Sequence, residues 1–110
     1  MASQTHTLRL HRFARSGHCH RVELLLSLLQ LPFEALDVNL AAKEQRTPRF
    51  LTLNPFGQVP VLEDGGLVIC DSNAILLYLS ARYAGPRFQL SSPALVAEQQ
   101  RWFSVAAGPL

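Results

Sequence analysis

Residues 54–66 read NPFGQVPVLEDGG, and the reading of this stretch decides the fold. Val59, Val61 and Leu67 are sheet-forming residues, and an Asp-Gly pair between apolar runs is a strong hairpin signal. Two short strands are expected, Val59–Glu63 and Leu67–Cys70, joined by Asp64-Gly65-Gly66. Pro60 sits inside the first of them. It cannot donate a ladder hydrogen bond, so it belongs on an edge strand, at a bulge or in a cis turn.

Working outward from this hairpin, Asp71-Ser72 is a helix cap followed by NAILLYLSARY, with Ile75, Leu76 and Leu79 in one apolar stripe. Upstream, Thr47-Pro48 supplies an N-cap and a first helical residue for a short helix to about Leu53. Thr7 to Phe13 alternates, with Leu8 and Leu10 on one face and Arg9 and His11 on the other, which reads as a strand. His18 to Leu31 carries Val22, Leu25, Leu26 and Leu29 at helical spacing. Phe33 to Leu40 reads as a second strand, and the intervening helix makes the pair parallel.

The order is β-α-β-α-β-β-α. A βαβ unit and a ββα unit share one mixed four-stranded sheet, an α/β arrangement of the thioredoxin-like kind, over residues 1–83. Residues 84–93, AGPRFQLSSP, read as a linker. Residues 94–110 read as the first helix of a further helical domain of which the rest is not in this sequence. Its Leu95, Trp102 and Phe103 are expected to make the chain sticky or dimeric through exposed apolar surface.

The chain has 110 residues, with ten Lys and Arg against eight Asp and Glu. That balance is too mild to argue for nucleic acid. Arg9, Arg12, Arg15 and Arg21, interleaved with His6, His11, His18 and His20, suggest an anion site instead. No apolar run approaches a membrane span, and the polar opening MASQTHTLRLHRF has no signal-like apolar stretch. A reducing cytoplasm with Cys19 and Cys70 as free thiols is the expectation. The histidines show no metal-ligand spacing, so no metal is expected.

Three places carry chemistry. The start of the helix at Asp71-Ser72 presents free N–H groups and a positive dipole end, an anion site. Ser16 lies on the loop between first strand and first helix, and Ser16-Gly17-His18-Cys19 keeps C-x-x-C spacing with a hydroxyl in place of the first thiol. Cys19 falls in the first turn of that helix near Arg15, His18 and Arg21, which would lower its pKa. Residue chemistry alone leaves Ser16 as a cap or a catalytic hydroxyl, Cys19 as inert or reactive, and Pro60 as trans or cis.

Together, SGHCHRVELLLSLLQLPFE, NPFGQVPVLEDGG and DSNAILLYL resemble the amino-terminal domain of soluble glutathione transferases of the serine-dependent, bacterial or phi- and zeta-like kind. The resemblance implies that Pro60 is cis and that Val59 turns its N–H and C=O outward to pair with glutathione as an added strand. It implies that Ser72 receives the γ-glutamyl carboxylate and Asp71 its ammonium, although the family often has Glu there. Gln45 and Arg46 would meet the glycyl carboxylate, and Gln58 the glutathione backbone. Ser16 would donate a hydrogen bond to the thiolate, with Arg15 beside it.

Cys19 is the alternative, forming a mixed disulfide in a thiol-disulfide or deglutathionylating enzyme, and a third reading is a non-catalytic binding module. The implied partners are glutathione and a small hydrophobic electrophile, in a homodimer. Without a helical domain, conjugation by these 110 residues is expected to be weak or absent.

Overall fold

The computed structural model describes residues 7–83 and the single positions Pro93, Ala94, Ala97 and Arg101, which are helical and exposed. The expected linker and most of the following helix lie outside the described residues. Strand β1 (Leu8–Arg12) leads into helix α1 (Gly17–Leu28) and strand β2 (Phe33–Asp37). A single 3-10 turn, Glu44–Arg46, precedes helix α2 (Pro48–Leu53). Strands β3 (Val61–Asp64) and β4 (Leu67–Cys70) form the hairpin, and helix α3 (Ser72–Tyr83) follows.

The four strands form one sheet in the order β2-β1-β3-β4. β1 and β2 are parallel, and the other two pairings are antiparallel. This is the mixed thioredoxin-like sheet that the cap and turn residues predict. Alternation in β1 sends Leu8 and Leu10 to the face covered by α1 and α3, where they join Val22, Leu26, Leu62 and Leu79 in the main core. Val38, Phe50 and Val61 form a smaller cluster on the opposite face, beneath α2.

Three boundaries differ from the sequence expectation, each for a local reason. α1 ends at Leu28 rather than Leu31, because Gln30 turns left-handed with φ 56°. Its N–H bonds the Ser27 carbonyl while that of Leu31 bonds the Leu26 carbonyl, each at 3.0 Å. This is a Schellman stop with glutamine where glycine is usual. β2 ends at Asp37 rather than Leu40; the Val38 N–H still reaches the Arg12 carbonyl at 2.8 Å, and the chain then turns to bury Val38 against Phe50. β3 begins at Val61 rather than Val59, since proline has no N–H for the ladder and leaves 59 and 60 outside it.

The hairpin is tied to the end of α3 through one carboxylate. Asp64, with its side chain 1% exposed, accepts hydrogen bonds from Tyr78 at 2.5 Å and Tyr83 at 2.7 Å. The Arg82 guanidinium lies 3.5 Å from the same oxygen. A buried carboxylate needs such partners to offset its desolvation.

Burial and the bond to Asp64 push the Tyr78 phenol up to about 12, and the same two causes raise Tyr83. These are the only two tyrosines of the chain, so phenolate absorbance reports on this cluster alone. A folded pKa above the unfolded value favours the protonated fold. The stability from the cluster is therefore intact below about pH 10 and declines as pH rises toward 12. In a spectrophotometric titration, the native chain should ionise at distinctly higher pH than the chain in urea, and Asp64→Asn should move the native curve back toward it. Superimposed native and unfolded curves for the parent chain would contradict the cluster.

Candidate functional site

The site is assembled where the loop after β1, the loop before β3 and the start of α3 meet. After β1, the Ser16 N–H bonds the Phe13 carbonyl at 2.9 Å, closing a tight turn. Ser16 is the N-cap of α1: its Oγ accepts the Cys19 N–H at 3.3 Å. The cap consumes an acceptor position and leaves the hydroxyl proton for another partner. Ser16 is thus both the cap and a candidate donor, and the two readings do not compete.

The loop before β3 is organised by Asn54, which is 3% exposed. Its amide donates to the Gln58 carbonyl at 3.0 Å and accepts the Phe56 N–H at 3.1 Å. Gly57 has φ +63°, and a Cβ there would stand 3.0 Å from the Gln45 carbonyl oxygen, so glycine is required on two counts. The Val59–Pro60 peptide bond is cis. The backbone N–H and C=O of Val59 have no hydrogen-bond partner among the described residues.

At α3, Asp71 stands in the left-handed region with φ 75°. Its Oδ2 accepts the Ala74 N–H at 3.3 Å and its carbonyl the Ile75 N–H at 3.0 Å. Ser72 is 4% exposed. Arg21, reaching across from α1, donates from Nη1 to Ser72 Oγ at 3.3 Å and from Nη2 to Asn73 Oδ1 at 3.0 Å. The Nδ1 of His18 lies 3.4 Å from the same Ser72 oxygen.

A cavity of about 180 Å³ opens between these elements, lined by His18, Gln58, Val59, Pro60, Asp71 and Ser72. Five of the sequence-predicted residues therefore converge on it. Ser16 does not line it; it lies two residues before His18, as the N-cap of the same helix. Gln45 and Arg46 do not line it. They lie behind the loop: the Cβ position of Gly57 is 3.6 Å from Arg46 Cδ, and Gln45 Oε1 is buried without a hydrogen-bond partner among the described residues. A larger cavity of about 580 Å³ lies on the α2 face, bounded by Arg9, His11, Phe50 and Leu53, and holds none of the predicted site residues.

Cys19 is 0% exposed. Its sulfur accepts the Phe13 N–H at 3.5 Å and lies under the helix rather than in the cavity. The local run of cations suggested a reactive thiol, but the helical phase turns this side chain inward. Cys70 is partly exposed, and burial pushes its thiol up.

Sequence reasoning missed Asn54 as the loop organiser and Asn73 at the helix start, and it placed His18 and Arg21 only within a broad cationic cluster, without their contacts to Ser72. A C-x-x-C-like count passes over His18 because it attends to the ends of the motif. Among the described residues no group of three or more His, Cys, Asp or Glu could hold a metal, and no helix is long and apolar enough to cross a membrane.

The chain matches the family model "Glutathione S-transferase, N-terminal domain" over residues 6–81. It is 49% identical over 76 residues to a glutathione S-transferase zeta class of Euphorbia esula, which covers 69% of this chain and 34% of that one. It is 39% identical over 89 residues to a maleylacetoacetate isomerase of Pseudomonas aeruginosa, 78% of this chain and 42% of that one. Among solved structures, a glutathione transferase homolog from Drosophila mojavensis with bound glutathione superposes with TM-score 0.79 at 32% identity. It covers 90% of this chain and 47% of that one. The chain thus spans less than half the length of these relatives.

If Cys19 is sealed under α1, a disulfide reagent such as dithionitrobenzoate should modify it slowly in the native chain and rapidly in urea. Mass spectrometry after brief native exposure should find the label on Cys70. Fast native labelling of Cys19 would show that the helix start opens freely.

Proposed function

This chain belongs to the glutathione S-transferase family, and on that premise we propose that residues 7–83 bind glutathione and activate its thiol for attack on a small hydrophobic electrophile. The observation that supports this reading is the convergence, on one cavity, of an unpaired Val59 backbone and the α3 helix start. Each half suits one part of the tripeptide. The free N–H and C=O of Val59 take the cysteinyl unit in strand fashion. The Ser72 hydroxyl and the α3 N–H groups take the γ-glutamyl carboxylate. The Asp71 carboxylate, exposed beside them, takes the ammonium, and the exposed amide of Gln58 meets the peptide backbone. Gln45 and Arg46, behind the loop, reach the glycyl end.

The Ser16 hydroxyl donates to the sulfur. A free cysteine thiol with a pKa of about 8.5 is a few per cent thiolate at neutral pH, and lowering it by about two units makes it mostly thiolate. A charge-assisted hydrogen bond and the α1 dipole act together in that direction. The thiolate then forms a carbon–sulfur bond as the electrophile's leaving group, or an opened π-bond or ring, takes the displaced electron pair. Ser16 stays unmodified throughout.

On this reading Cys19 is a packing residue, since its burial removes the thiol that a mixed-disulfide mechanism needs. The proposal extends to a homodimer in a reducing cytoplasm. Cys19 and Cys70 are both free thiols.

Thiolate absorbance of bound glutathione tests the assignment. With the parent chain the bound thiol should titrate about two pH units below free glutathione, and Ser16→Ala should restore about one unit or more of that shift. Cys19→Ser should leave it in place. A shift that survives Ser16→Ala, or a glutathionylated Cys19 found by mass spectrometry, would remove Ser16 from its role.

A further inference from the structure

Resting on the glutathione reading, we propose that Arg21 is a positioning residue for the γ-glutamyl carboxylate. It acts through Ser72 and Asn73 by fixing the first turn of α3 and placing a permanent positive charge behind it. One planar guanidinium reaches two consecutive residues of that turn, Ser72 Oγ at 3.3 Å and Asn73 Oδ1 at 3.0 Å. Two donors in a rigid fork fix orientation as well as distance, which a single ammonium cannot do. The bond crosses from α1 to α3, so the carboxylate end and the Ser16 end of the site are set by one side chain on the helix that Ser16 caps.

Two consequences follow for the ligand. Ser72 Oγ accepts a hydrogen bond from Arg21, so its own O–H proton remains to be donated, with His18 Nδ1 at 3.4 Å as the nearby alternative acceptor. A carboxylate in the cavity competes for that proton from a serine held in register. In addition, the guanidinium charge adds to the positive end of α3. Ser72, which receives one of the two guanidinium bonds, is almost fully buried, while Arg21 itself is half-buried. Arg21 does not itself line the cavity, hence a positioning role.

The test compares two ligands on the intact chain by calorimetry: glutathione, and γ-aminobutyryl-cysteinyl-glycine, which lacks only the α-carboxylate. Arg21→Gln should weaken glutathione by about tenfold and change the carboxylate-free peptide by less than about twofold. Arg21→Lys, which keeps the charge but loses the two-donor fork, should recover only part of the loss. Equal losses for both peptides would mean that Arg21 only holds the fold, and would overturn the proposal. Where Arg21→Gln does not fold, Asn73→Asp carries the same comparison, because its carboxylate cancels the guanidinium charge at the helix start. An unchanged glutathione affinity in that variant also overturns it. Binding of neither peptide by the parent chain would instead sink the glutathione reading, and this inference with it.

Discussion

The buried Asp64 carboxylate is the interaction on which the rest of this structure depends. Its two tyrosine hydroxyls and the adjacent Arg82 come from the last six residues of α3, Tyr78 to Tyr83. The carboxylate itself ends β3, at the tip of the hairpin. A carboxylate so placed is costly to desolvate, and its partners offset that cost. It therefore specifies one docking of α3 on the sheet. The apolar stripe of Ile75, Leu76 and Leu79 supplies the burial, but a stripe alone would tolerate sliding by a residue along the groove.

At the other end of α3 the geometry is reached from a different direction. Arg21 holds Ser72 and Asn73 from α1, and Asp71 caps the helix from within the chain. With both ends tied, the helix start cannot drift relative to the loop at 57–60. That loop is tied in turn by the buried Asn54 amide. The cavity between them is therefore built from backbone fixed on each side by buried polar contacts, which suits a site that must recognise backbone-like ligand groups.

Much of this was legible in the sequence wherever the information is local. Thr47 caps α2 by accepting the Phe50 N–H; Asp64 to Gly66 close the hairpin, and the alternation of Leu8, Arg9 and Leu10 gives β1 its two faces. The strand proline and the capped helix start are each visible in a few residues, but it is the family resemblance that places Gln58, Val59, Asp71 and Ser72 in one site. Where the reading was off, the determinant was distant or depended on helical phase. Arg21 meets partners more than fifty positions later, so no spacing rule connects them. For Cys19 the sequence leaves an inert and a reactive thiol both open, and helical phase decides between them: α1 turns it beneath itself while Arg21 points across to α3. Gln45 and Arg46 pack against the left-handed turn at Gly57 and do not line the cavity, a placement that no local spacing reveals.

The arrangement of charge at the helix start also bears on which ligands the proposed site would accept. A helix N-terminus with a guanidinium behind it would attract any small anion, phosphate included. Here the cap residue is an aspartate, and its left-handed backbone leaves the carboxylate exposed beside the cavity. Only Oδ2 is used in capping; Oδ1 has no hydrogen-bond partner among the described residues. A simple anion would gain from Arg21 and lose to Asp71 at close range. A group carrying a carboxylate and an ammonium on one carbon satisfies both. On the proposed reading, the two opposite charges of Arg21 and Asp71 at one helix start would favour an amino-acid end over other anions.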